Sequence, residues 1–160
     1  RIGDKSILFD RLRSKLGVTY SPKADIDCYP YFGEFGISLD VDPKNIEKTL
    51  IELSKIIKEL KNNILDKHLV KLAKSRLQLD IKNSLYDINP TNYLKYTDKF
   101  IDNEEIINPL QVYNKYYKNL TENDVKEISK TMFKKNKCYL LLVGQCNLKT
   151  QKIRSLIDKF

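Results

Sequence analysis

Few residues of this chain have the type and spacing to do chemistry on their own. There is one histidine, His68, in the stretch DKHLVK. A helical zinc site of the HExxH or HxxEH kind needs two histidines on adjacent turns and a further carboxylate ligand. His68 has no second histidine to join it and sits beside an apolar stripe, so it reads as an exposed helical histidine. A Ser-His-Asp set would have to recruit this same residue, and no GxSxG elbow supplies the serine. Neither GxxxxGK[ST] nor GxGxxG occurs, so no loop is signalled that would cradle a phosphate. Cys28, Cys138 and Cys146 lie far apart and form no CxxC pair. Neither a disulfide framework nor a sulfur metal site is indicated, and a reducing compartment is the default expectation. Glu104-Glu105 could exchange protons, yet adjacent surface carboxylates are more often solvated loop charges. No catalytic residue, metal ligand or cofactor site is assigned to this chain.

The charge balance points outward to partners. Lys and Arg number 29 against 21 Asp and Glu, a formal net charge of +8, which invites a nucleic-acid reading. The bases are mostly Lys and are scattered among acids, whereas base readout and bidentate phosphate clamps favour Arg. Specific nucleic-acid binding is therefore not expected. No run approaches the ~18 apolar residues of a membrane span, and RIGDKSILFDRLRSKLG has no signal-peptide pattern.

The elements that must position any site follow from periodicity. Ile7, Leu8, Leu12 and Leu16 lie on one helical face over Asp4–Leu16, and Gly17 follows where a helix end needs positive φ. Two alternating runs come next. Val18, Tyr20, Ala24, Ile26 and Cys28 share one parity, as do Phe35, Ile37, Leu39 and Val41. With Tyr-Pro-Tyr-Phe-Gly between them, they predict two paired antiparallel strands with one face buried. Asp42-Pro43 begins a helix striped by Ile46, Leu50, Leu53, Ile57, Leu60 and Ile64. Asn62-Asn63 breaks it, and a second long helix runs from about Asp66 to Leu85 through Leu69, Ala73, Leu77 and Ile81. The Tyr-rich stretch from Asn89 to Asn119, interrupted by Pro90 and Pro109, reads as short helices. Thr121-Glu-Asn-Asp124 is a capping sequence ahead of Val125, Ile128, Met132 and Phe133. Cys138-Tyr-Leu-Leu-Leu-Val-Gly144 predicts a strand buried on both faces. Ile153, Leu156, Ile157 and Phe160 mark a last amphipathic segment.

The class is α+β, a mostly antiparallel sheet with helices packed on one face. Residues 1–160 read as one domain. Three strands leave the helical stripes short of a surface, so at least one strand N-terminal to Arg1 is expected to be missing and the domain to be N-terminally truncated.

LRSKLGVTYS, Leu12 to Ser21, resembles the LRexxGlaYs signature in the C-terminal half of the pitrilysin/insulinase family of zinc metallopeptidases, which includes the mitochondrial processing peptidases. RIGDKSILFDRLR resembles the family's lGgGxsSrLfxxLR helix, with Gly3 the one glycine kept. YFGEFGISLDVDPKNIEKTL is similar to its strand-to-helix passage, DKHLVKLAKSRL to its teeELexAKxxl helix, and LTENDVKEISKTMFKKNKCYLLLVG to its vTxedVxxvaxkyfxxxnxxlxvvG ending.

The resemblance implies two related α+β halves that close around an extended peptide. The N-terminal half would carry the zinc. The C-terminal half, which lacks zinc ligands, would bind substrate and close the chamber. Its contribution is an Arg and a Tyr, matched here by Arg13 and Tyr20. The implied partners are a peptide substrate and the zinc-bearing half or a partner subunit, in the cytoplasm or the mitochondrion. Two blander roles stay open: Arg13 could pair with Asp10, and Tyr20 falls on the parity assigned to the buried face. A structural scaffold of the same family is the alternative function, and a Lys-rich nucleic-acid-binding domain a more distant one.

Overall fold

The computed structural model describes residues 6–29, 31–86, 97, 101 and 108–160. The first helix, α1, Phe9–Lys15, is wound wider than an α-helix, and the Leu16 N–H reaches the Arg11 carbonyl at 3.2 Å. Strands β1, Lys23–Cys28, and β2, Gly33–Ser38, pair antiparallel, with Ala24 opposite Ile37 and Ile26 opposite Phe35. A short turn, Pro43–Asn45, is capped by the Asp42 carboxylate, which accepts from the Lys44 N–H at 3.1 Å. It leads into α2, Ile46–Asn62, and then α3, Lys67–Tyr86. After α4, Pro109–Val112, and a wide turn at Tyr113–Tyr117 come α5, Glu122–Met132, and α6, Thr150–Ile157.

The centre of this α+β arrangement is α2. Its buried Ile46, Leu50, Leu53 and Ile57 belong to the stripe read from the sequence, and Ile56 joins them. Leu53 meets Leu12 and Val18 in one apolar cluster, with Ile37 and Leu39 packed against it. Ile46 and Leu50 meet Leu156 of α6 in a second. Phe35 of β2 meets Phe133, the residue that follows α5, edge to face, with ring centroids 5.4 Å apart. Asn63, with extended dihedrals, ends α2. The capping box of α5 forms with Asp124 in place of Glu. The Thr121 N–H donates to the Asp124 carboxylate at 2.7 Å, and the Asp124 N–H to the Thr121 hydroxyl at 3.3 Å.

Three expectations need correction. First, β1 is exposed along its whole length, so the hairpin buries only part of β2. Antiparallel pairing satisfies the backbone, but burial of a face needs a layer opposite it. Second, Ile64 and Ile128 are exposed although each falls on a predicted stripe. Ile64 lies beyond the end of α2, where the helical register no longer holds. Third, Cys138–Gly144 is not a strand buried on both faces. No regular structure forms there, and its side chains are largely in solvent. Among the described residues no strand pairs with it, and without a ladder an apolar run is not a strand. Glu104-Glu105 and Pro90 lie outside the described residues.

Candidate functional site

The end of α1 and the turn after it carry the two residues singled out by the resemblance, Arg13 and Tyr20. Leu12 is fully buried and fixes which face of the helix turns inward. On its flank the Arg11 guanidinium spans two turns of α2. Nε donates to Glu52 at 2.7 Å and Nη1 to Glu59 at 2.9 Å. The bond to Glu59 leads the effects holding the Arg11 pKa above its ordinary value, against the pull of burial. Burial is the largest influence on the Glu52 carboxyl and favours its neutral form. The hydrogen bond and charge of Arg11, with Lys55 beside them, outweigh it and hold the carboxyl below its usual range.

Gly17 then reverses the chain. Its φ of +60° is one that β-carbon-bearing residues rarely adopt, and its N–H donates to the Arg13 carbonyl at 3.0 Å. The Val18 N–H reaches the Leu12 carbonyl, also at 3.0 Å. The chain after Gly17 is thereby folded back along the helix that preceded it.

That return brings Arg13 and Tyr20 together. The Arg13 Cζ lies 4.1 Å from the centroid of the Tyr20 ring and 4.5 Å from that of Phe9. Both rings are within the range of cation–π attraction, about 0.5–1 kcal/mol for each exposed pair. Stacking engages the faces of a guanidinium and leaves its N–H donors, which lie in its plane, for other acceptors. Among the described residues Arg13 makes no ion pair. Asp10, the alternative partner, is taken by Lys15 at 2.6 Å. Tyr20 is 77% exposed, contrary to the buried parity. Val18 and Thr19 are the buried residues here, in succession, because the chain does not adopt strand geometry until Lys23. The Thr19 hydroxyl is buried without a hydrogen-bond partner.

Two parts of this arrangement escaped the sequence reading. Phe9 precedes Arg13 by four residues, a spacing that places both on one helical face and could have flagged the stack. The Arg11 bridge joins positions 41 and 48 residues apart, and no local pattern announces it.

Elsewhere the chemistry is sparse. His68 is an exposed residue of α3, and its backbone N–H donates to Asp66 at 2.8 Å. Cys28 and Cys138 are exposed free thiols and Cys146 is half-buried; partial burial pushes the Cys138 thiol pKa up, away from a reactive thiolate. Among the described residues no group of three His, Cys, Asp or Glu side chains could hold a metal ion. A cleft of 610 Å³ on α2 is lined by Lys55, Lys58, Lys61 and Phe160, and neither Arg13 nor Tyr20 lines it. No helix among the described residues is long and apolar enough to cross a membrane.

Residues 2–77, which include this whole site, match the family model of the peptidase M16 inactive domain. Over that stretch the chain is similar to the inactive, C-terminal type of domain of the peptidase M16 family. No curated protein matches the chain.

Proposed function

We propose that this chain is the substrate-binding, chamber-closing C-terminal domain of a zinc-dependent endopeptidase, and that Arg13 and Tyr20 touch the bound peptide. The observation that carries this reading is the stack of Arg13 against Tyr20, at 4.1 Å on an exposed edge within the family match. Two donor types stand side by side there. A guanidinium can give paired hydrogen bonds to a peptide carbonyl, and it keeps its charge at any working pH. A phenol is a neutral donor suited to a carbonyl oxygen that gains negative charge during hydrolysis. Stacking holds each group with the other, so little side-chain freedom is lost when substrate arrives. The zinc and the residues that activate water belong to a companion domain or subunit.

The test uses the complete peptidase with a fluorogenic peptide. Tyr20→Phe keeps the ring under Arg13 and removes only the hydroxyl, so folding and metal content should stay unchanged. Turnover, as kcat/KM, should fall by roughly 10²-fold, the scale of one lost oxyanion donor. Arg13→Lys should also impair turnover, since an ammonium cannot reproduce the planar fork. Normal turnover in both variants would sink this reading and leave the stack as a structural lock in a scaffold protein.

A further inference from the structure

The cleft of 610 Å³ on α2 gathers charge of one sign. Lys55, Lys58 and Lys61 recur every three residues, so they stand on neighbouring turns of the helix. Lys159 joins them from just beyond the end of α6. No Asp or Glu lines the cleft among the described residues. The carboxylates of α2 nearest in sequence, Glu52 and Glu59, are held by Arg11 at 2.7 and 2.9 Å. Lys55 reaches Glu52 only at 3.4 Å, and Lys58 and Lys159 make no ion pair among the described residues. The adjoining cleft, of 450 Å³, shares Ile51 and Lys55 but sets Glu47 and Glu52 against Lys44 and Lys48. Positive charge is balanced there and left uncompensated in the larger cleft. The lining also includes apolar Ile51 and Phe160. Phe160 packs against both core clusters, and Lys61 Nζ donates to its main-chain oxygen at 3.5 Å, so this part of the lining is held in place.

We propose that this cleft binds a nucleoside triphosphate, its phosphates among the four ammonium groups and its base against Ile51 and Phe160. A volume of 610 Å³ lies within the range of about 300–1,000 Å³ common for small-molecule sites. Lysine binds phosphate as a point charge, and it needs no fixed fork geometry to do so. Four like charges around one opening repel one another, and a chain of three phosphates relieves that repulsion. An inorganic anion would leave the apolar lining in water, whereas a nucleobase has an apolar face to cover it. An anionic bilayer presents its headgroups on a plane and does not follow a concave lining. Neither Arg13 nor Tyr20 lines the cleft, so the proposal does not depend on their role.

The test titrates the full chain with adenosine triphosphate in magnesium-free buffer, followed by calorimetry. One nucleotide should bind per chain, more weakly as salt is raised. Tripolyphosphate should bind about tenfold more weakly, because it leaves the apolar lining uncovered. Adenosine, which carries no charge for the lysines, should not bind detectably. The side chains of Lys58 and Lys159 are exposed, so Lys58→Gln and Lys159→Gln should leave circular dichroism unchanged while each weakens the nucleotide about fivefold. Lys48→Gln removes the same charge from the adjoining cleft and should change affinity by less than about twofold. Equal affinity for tripolyphosphate overturns the assignment of a nucleoside. Equal losses at Lys48, Lys58 and Lys159 overturn the site itself, since net charge alone would then attract the anion. A single-stranded oligonucleotide that binds tighter than the nucleotide, and is weakened by the same two variants, overturns the proposal in favour of a nucleic-acid surface.

Discussion

Leu12, flanked by Arg11 and Arg13, and Leu141, in a continuous apolar run, are the same residue type and meet opposite fates. Leu12 sits at the centre of α1, fully buried against Val18 and Leu53, with Arg11 anchored on Glu52 and Glu59 beside it. Leu141 sits at the centre of Cys138–Val143 and stands in solvent. The difference lies in what each has opposite it. The long stripe of α2 supplies a surface for α1, and among the described residues no strand pairs with the later segment. Apolarity states a demand for burial, and only a neighbour at the right distance meets it.

The largest expected effect breaks this contrast directly. Leu12→Ala leaves a cavity between α1 and α2 and should destabilise the chain by about 2–5 kcal/mol in urea unfolding. Leu141→Ala should change stability by no more than about 0.5 kcal/mol, because its side chain leaves nothing behind. Equal losses at the two positions would erase the distinction between anchored and uncovered regions.

A middle effect tests the ionic anchor. Arg11→Gln leaves the nearly buried Glu52 carboxylate without its main partner and should cost about 1–3 kcal/mol. The double variant Arg11→Met, Glu52→Gln should recover part of that loss, since both charges are then gone. The pH dependence has a definite sign. The folded-state pKa of Glu52 is lowered, so its contribution is present above the ordinary carboxylate range and is lost as pH falls through the folded value. Stability should therefore decline below about pH 4, and Glu52→Gln should flatten that decline. A steeper acid loss in the variant would show that other carboxylates dominate.

The smallest effect sharpens the account of how α1 presents its end. A β-carbon on Gly17 would meet no atom within 4 Å, so Gly17→Ala should cost only the backbone penalty of positive φ, about 1–2 kcal/mol. Near-ultraviolet circular dichroism of the tyrosines should change with it, as the return that carries Tyr20 to Arg13 loosens. An unchanged spectrum would mean that the stack holds without the glycine turn.

Much of the local structure was legible. Gly17 at a helix end, Asp42-Pro43 and the Thr121–Asp124 box each act within four residues, through caps and dihedral preferences that need no distant partner. The hairpin was legible for the same reason, since alternation and a short connection fix an antiparallel pair. What failed was burial. Tyr20, Ile26 and Leu141 were all assigned to buried faces and are exposed, because periodicity identifies a face and says nothing of what covers it.

The candidate site divides along the same line. The signature around Arg13 and Tyr20 identified two residues seven apart, but their contact depends on Gly17 turning the chain and on α2 holding α1 in place. The sequence by itself determined the helix, the turn and the side-chain types at positions 13 and 20, because these follow from residue identity and short-range backbone energetics. Only the tertiary structure decided that Arg13 lies between Phe9 and Tyr20 and that Arg11 reaches Glu52 and Glu59. Those contacts require segments separated by tens of residues to meet, and their geometry is set by packing around Leu12 and Leu53.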